Sequence, residues 1–311
     1  MRYRPLGSAG PEVSAVGLGG NNFGRRVDQQ GTRAVVDAAL DAGVTLLDTA
    51  DAYGNGLSEE YLGKALEERR GRVVLATKFG SPMSDGEELP LGSPAYIRKA
   101  ARASLERLRT DWIDLYQYHR PDGVTPIEDT LGALNELVEQ GIVRFIGSSN
   151  FSARQIEEAD RIAGEHGWAR FVSAQNEYSL LRRDAERELL PTCARLGIGF
   201  LPYFPLASGL LTGKYRRGEP PPEGTRLAER PERLTPEAFD RIEALERYAE
   251  ERGVTLLEVA IGGLLAQPAV SSVIAGATKR EQVRTNAAAG QWQPTEQDLR
   301  ELRALLEGVA A

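Results

Sequence analysis

An aspartate, a lysine and a histidine each end a short apolar run. Asp48 follows Thr45-Leu46-Leu47, Lys78 follows Val73-Val74-Leu75-Ala76-Thr77, and His119 follows Ile113-Asp114-Leu115-Tyr116-Gln117-Tyr118. Tyr53 lies five residues beyond the aspartate. Taken singly, these are a helix-capping aspartate, a surface tyrosine, a solvated lysine and a hydrogen-bonded core histidine. At three successive run ends they make a set suited to moving a proton to a carbonyl oxygen. A phenol has an ordinary pKa near 10, and an ammonium roughly 4 Å away favours the phenolate by up to about 4 kcal/mol at an effective dielectric of 20. That brings Tyr53 toward working pH, where a general acid is most effective. Asp48 would keep Lys78 charged and oriented, and His119 would position the substrate oxygen or relay the proton. Only five of the 38 basic residues are lysines, so Lys78 stands out in a chain that otherwise prefers arginine. None of the four residues can accept a hydride. Either a redox cofactor completes the chemistry or the reaction is a different one.

The elements that must position these residues are legible as alternating patterns. Short β-branched or leucine-rich runs begin near Val16, Thr45, Val73, Ile113, Phe145, Val172, Gly199 and Ser272, separated by amphipathic helical stretches. Most are too continuously apolar for half-exposed strands, so both faces must be covered, as in a parallel sheet. Helix starts read from Thr125 with Glu128 behind Pro126, Ser152 with Gln155, Thr255 with Glu258, and Thr278 with Glu281. Stops read from Gly43, Gly141, Gly164, Gly197, Gly253 and Gly290. Eight strands each followed by a helix close most simply into a (β/α)8 TIM barrel, here over residues 1–311 as a single domain. The rival doubly wound sheet expects a third glycine in Gly17-Leu18-Gly19-Gly20-Asn21-Asn22, where asparagine stands. Tyr3 to Val13 is predicted to be an N-terminal hairpin, and Leu206 to Thr235 a long loop after the seventh strand, of the kind that acts as a lid or binding loop.

Composition narrows the function classes. With 311 residues, 41% hydrophobic and 27% charged, the chain can build a core. A net charge of −7 argues against nucleic acid as partner. One cysteine, Cys193, and two histidines leave little for a disulfide or a metal cage. No run approaches a membrane helix and Met1 to Pro5 leads into no apolar segment, so a cytoplasmic protein is expected, with no oligomeric state specified.

These residues resemble the aldo-keto reductase superfamily. The matching segments are Gly43 to Gly54, Ala76 to Gly80, Leu115 to Asp122, Gly147 to Phe151, Gln175 to Ser179, Tyr203 to Tyr215 and Ile274 to Thr278, nearly the whole chain in the expected order. The resemblance implies a barrel that binds NADPH, with NADH as the alternative, and a catalytic tetrad of Asp48, Tyr53, Lys78 and His119. It implies that Ser149, Asn150 and Gln175 hold the nicotinamide amide and that Tyr203 stacks on the ring, with Gly20, Asn21 and Asp48 also at the cofactor. Leu206, Ser208 and Lys214 match the pyrophosphate segment; Gly276, Thr278, Gln282 and Asn286 match the adenosine-phosphate segment, with Lys279 and Arg280 beside a 2′-phosphate. Gln282 replaces the arginine of the aldose-reductase branch, which draws the chain toward the bacterial and potassium-channel β-subunit branches, and Phe204 stands where serine is common. Asn22, Phe23, Tyr53, His119 and Arg120, with Asn21 and the long loop, would face a small, polar carbonyl substrate, sugar-derived compounds included. The implied activity is reduction of aldehydes or ketones. A nicotinamide-bound regulatory subunit with little turnover is the second reading, and a barrel with unrelated phosphate-ligand chemistry the third.

Overall fold

The computed structural model describes residues 1–83, 86 and 88–308; residues 84, 85, 87 and 309–311 of the expected domain lie outside the described residues. A hairpin of β1 (Tyr3–Pro5) and β2 (Glu12–Ser14) comes first. Eight parallel strands follow: β3 (Val16–Gly19), β4 (Leu46–Asp48), β5 (Val74–Phe79), β6 (Ile113–Tyr118), β7 (Val143–Ser149), β8 (Phe171–Glu177), β9 (Gly199–Tyr203) and β10 (Val273–Gly276), in the order β10-β3-β4-β5-β6-β7-β8-β9. The two ends meet just before β10, where Phe200 N–H donates to Ala269 O at 2.7 Å and Ser271 N–H to Phe200 O at 3.0 Å. This is the nearly closed (β/α)8 barrel expected from the alternating runs.

The outer helices are α1 (Gln29–Asp41), α2 (Leu57–Leu66), α3 (Pro94–Leu108), α4 (Ile127–Glu139), α5 (Ala153–His166), α6 (Leu189–Leu196), α7 (Pro236–Glu250), α8 (Leu256–Leu265) and α9 (Arg280–Ala289). Neighbours touch from α1 to α6 and from α7 to α9, and α9 returns to α1, while α10 (Glu296–Gly308) packs on α7. The expected caps at Ser152 and Thr255 are present as full capping boxes. Those at Thr125 and Thr278 are not. Thr125 Oγ1 donates to Asp122 at 2.7 Å, so α4 starts behind Pro126 with no side-chain cap. Thr278 N–H and Oγ1 both donate to Gln282 Oε1, and α9 begins one residue later with Lys279 in the cap position. Gly164 lies inside α5, where a Cβ would stand 2.5 Å from Arg170 Nη2; the left-handed stop is Gly167, with φ 69°.

The barrel interior is layered by the two-residue period of its strands. Leu46, Ala76 and Leu115 form an apolar layer closed from below by Leu6 and Val13 of the hairpin. That plug sits tightly: Gly7 has φ +66°, and a Cβ there would meet Gly197 O at 2.5 Å. Two residues further along the same strands, Asp48, Lys78 and Gln117 form a buried polar layer at the C-terminal end.

Candidate active site

The expected proton-transfer and nicotinamide-end residues stand at the C-terminal rim, where barrel enzymes place their chemistry. Asp48 ends β4, Lys78 is the penultimate residue of β5, His119 follows β6, Ser149 ends β7, and Tyr203 ends β9. The Lys78 ammonium, fully buried, donates to Asp48 Oδ1 at 2.8 Å, to Asp48 Oδ2 at 2.7 Å and to Thr49 O at 2.8 Å. Its Nζ lies 5.0 Å from the centroid of the Tyr53 ring. The Tyr53 and His119 rings meet edge to face, 5.8 Å apart at 81°.

The electrostatics differ from the expectation in one respect. Burial pushes the Tyr53 phenol above its usual value; the Lys78 charge pulls it down, but Asp48 opposes that pull, and the net shift is upward. A proton count that includes only the lysine misses the desolvation and the lysine's own counterion. Tyr53 therefore carries its proton at neutral pH. Burial also works against the Lys78 charge, yet Asp48 and Tyr53 more than offset it, and the ammonium is held above its ordinary range. His119 is depressed to about 3 by burial, Lys78 and Arg120, and is neutral, with Nδ1 buried and without a partner. The arrangement is a protonated phenol and a neutral imidazole backed by a fixed positive charge. Chemically it can hold a carbonyl oxygen and hand it a proton.

A cavity of about 1400 Å³ opens above this set. It brings together Asn21, Asn22, Asp48, Tyr53, His119, Arg120, Ser149, Asn150, Gln175 and Tyr203 at one end, and Leu206, Ser208, Lys214, Gly276, Thr278, Lys279, Gln282 and Asn286 along its length. Lys78 lies behind the wall. Three other expected residues do not line it. Phe23 is turned wholly into the core beside Leu18 and Val27, so it offers no face to a substrate. Gly20 contributes only backbone, donating to Asp48 O and accepting from Ser58 Oγ. Arg280 is exposed in the first turn of α9, while its neighbour Lys279 faces the cavity.

Ala207, Ser208 and Gly209 are consecutive left-handed residues, with φ 47°, 62° and 103°, a backbone strain of the kind stored at ligand clamps. Within this turn Ala207 N–H donates to Phe204 O at 2.9 Å and Gly209 N–H to Leu206 O at 2.8 Å, so these amides hold the turn itself. Lys214 Nζ stands 3.2 Å from where a Cβ on Gly209 would be, so a side chain there would crowd the ammonium. At the other end, Asn150, also left-handed at φ 59°, donates to His119 O at 2.9 Å and accepts from the Tyr203 hydroxyl at 2.7 Å. Gln175 donates through Nε2 to Asp48 at 2.9 Å and keeps Oε1 as an acceptor. Side-chain amides beside the proton donor and the Lys214 ammonium further along fit a dinucleotide in extended form.

One feature lies outside the sequence expectations. Gln117, buried in the barrel, donates to Asp48 Oδ1 at 3.3 Å and accepts from Ser173, joining the carboxylate to the far side of the polar layer. The signal was its parity with Leu115, which puts it on the interior face. The long loop after β9, expected as a lid or binding loop, reaches back across the cavity. Arg226 donates to Asn22 Oδ1 at 3.1 Å and covers the Phe204 ring, and Glu229 pairs with Arg26.

Comparison with known proteins agrees with this geometry. A family model described as "Aldo/keto reductase family" matches residues 15–307. The chain is 36% identical over 303 residues to a probable voltage-gated potassium channel subunit beta of Arabidopsis thaliana, covering 93% of this chain and 91% of that protein. It is 36% identical over 319 residues to the uncharacterized oxidoreductase YrpG of Bacillus subtilis (strain 168), covering 99% and 97%. It is 34% identical over 320 residues to the aldo-keto reductase YhdN of the same organism, covering 99% and 95%. Among the described residues no helix is long and apolar enough to cross a membrane, and no group of three His, Cys, Asp or Glu residues is placed to hold a metal.

Proposed function

This chain belongs to the aldo/keto reductase family, and on that premise we propose that it reduces aldehydes or ketones to alcohols with a nicotinamide cofactor, NADPH in preference to NADH, and with Tyr53 as the proton donor. The observation that carries this reading is the buried Asp48–Lys78 pair set behind Tyr53, with a neutral His119 beside it at the cavity wall.

When bound, the cofactor supplies the hydride. The rest falls to the side chains. His119 orients the carbonyl oxygen by hydrogen bonding, and Tyr53 Oη donates its proton to that oxygen. Lys78, kept charged by Asp48, then stabilises the phenolate left behind, in a site dry enough for that charge to count. Ser149, Asn150 and Gln175 would hold the nicotinamide amide and Tyr203 the ring. Ser208, Leu206 and Lys214 would hold the pyrophosphate. Gly276, Thr278, Gln282 and Asn286 would hold the adenosine end, where Lys279 offers the cation for a 2′-phosphate. The reading takes the whole chain as one barrel unit working in the cytoplasm.

The test is the oxidation of NADPH and NADH, followed in parallel by absorbance over a panel of aldehydes, ketones and sugars. Faster oxidation of NADPH with at least one carbonyl class is expected. Oxidation of neither nucleotide across the panel overturns the proposal. The plant relative's name gives one ground for a second reading, a nicotinamide-bound regulatory subunit. Tight nucleotide binding without turnover would select it.

A further inference from the structure

Resting on the carbonyl-reduction reading, we propose that the substrate carries an anionic oxygen group, a carboxylate or a phosphate, within a few bonds of its carbonyl, and that Arg120 binds it.

Arg120 follows His119 in the β6–α4 loop, is exposed, and lines the same end of the cavity as Tyr53 and Tyr203. Its charge is felt by both His119 and Tyr203. Two other arginines at the same cavity are ion-paired, Arg26 with Glu229 and Arg216 with Glu246. Arg120 has no ion pair or hydrogen bond among the described residues. The carboxylate nearest the chemistry, Asp48, is committed to Lys78. Glu177 and Arg182 face Tyr203 from the β8 side; Arg182 has its own partner in Asp184, and Glu177 makes no ion pair with Arg120. The guanidinium is thus a free five-donor fork, the shape that takes a carboxylate or phosphate through two parallel hydrogen bonds.

The loop beneath it is held still. Asp122 accepts hydrogen bonds from Gly92 N–H at 2.8 Å, Val124 N–H at 3.0 Å, Thr125 N–H at 2.9 Å and Thr125 Oγ1 at 2.7 Å, and its own N–H donates to the Tyr118 hydroxyl at 2.9 Å. From the other side Asn150 grips His119 O. The backbone of an anchor on such a loop has little freedom left to lose when it binds, so the ordering cost falls on the arginine side chain. The chain as a whole carries a net charge of −7, which repels anions, so a local unpaired cation beside the proton donor has an anion to select.

The experiment compares 4-carboxybenzaldehyde, its methyl ester and 4-formylphenyl phosphate as substrates, and titrates benzoate, phenyl phosphate and benzamide into the protein calorimetrically, for wild type and for Arg120→Met and Arg120→Lys. Wild type is expected to favour at least one anionic aldehyde over the ester in kcat/KM. That ratio should fall roughly 10- to 100-fold in Arg120→Met, the worth of a charge-assisted hydrogen bond, with partial rescue by Arg120→Lys. The carboxylate and phosphate arms identify which anion is taken. If wild type prefers the ester, or Arg120→Met keeps the anion preference, the anion site is overturned while the reductase reading stands. If neither these aldehydes nor any member of the wider carbonyl panel is turned over but benzoate or phenyl phosphate binds in an Arg120-dependent way, the anion site stands and the reductase reading falls. If there is neither turnover nor Arg120-dependent anion binding, both fall.

Discussion

Both carboxylate oxygens of Asp48 accept hydrogen bonds from the Lys78 ammonium, at 2.8 and 2.7 Å, in a place where the lysine has no exposed surface. The pair is stabilising only as a pair. Removing one member leaves a buried charge unanswered. Lys78→Met should therefore lower the unfolding free energy by about 3–5 kcal/mol, and adding Asp48→Asn should return a large part of it. Urea unfolding of the two variants checks this. A double variant no more stable than Lys78→Met would show that the pair is not electrostatically coupled.

Asp51 supplies a pH signature one step behind the site. Burial and the neighbouring Glu59 raise its carboxyl to about 7, against an ordinary 3.8 in the unfolded chain. Between those values the folded state holds a proton that the unfolded state has lost, so stability falls as pH rises, by about 1.4 kcal/mol per unit. Above about 7 the full cost is present. Asp51→Asn should flatten this slope and be more stable than wild type at pH 8 by up to about 4 kcal/mol. Thermal unfolding of both proteins at pH 5 and pH 8 measures it; equal pH dependence in the two would contradict it.

His119 and Tyr53 together set the pH profile of carbonyl reduction. With His119 depressed to about 3, its imidazole stays neutral throughout the usual assay range. With Tyr53 raised above its ordinary value, the proton donor is not lost until the solution is more alkaline than about pH 10. The kcat/KM for a carbonyl substrate should show no histidine inflection near pH 6.5. A rate that drops as pH rises through that value would mean that a protonated imidazole is required.

Much of the barrel was legible because its strands are buried on both faces and so appear as apolar runs. The runs predicted from Val16, Ile113 and Gly199 begin where the strands do, and those near Thr45, Val73 and Ser272 are one residue early. The rim positions of Asp48, Lys78 and His119 followed from those ends. What was not legible depends on distant partners. Thr125 has the local pattern of a cap, but Asp122 competes for it; Thr278 is taken by Gln282 in the same way. Phe23 and Asn22 are adjacent in sequence, yet one turns into the core and the other lines the cavity. Gln117 is one polar residue in an apolar run until the barrel closes and brings Asp48 and Ser173 to it. The direction of the Tyr53 shift depends on how deeply the phenol sits and on the Asp48 charge, neither of which a nearby lysine in the sequence reveals.

The central claim is that the Tyr53 hydroxyl delivers the proton. Its most direct measurement is kcat for a reduced carbonyl substrate with Tyr53→Phe, at nucleotide saturation confirmed by fluorescence titration of the same sample. The account predicts a fall of about 10²- to 10⁴-fold with nucleotide affinity retained. A variant that binds nucleotide and turns over at the wild-type rate would contradict it.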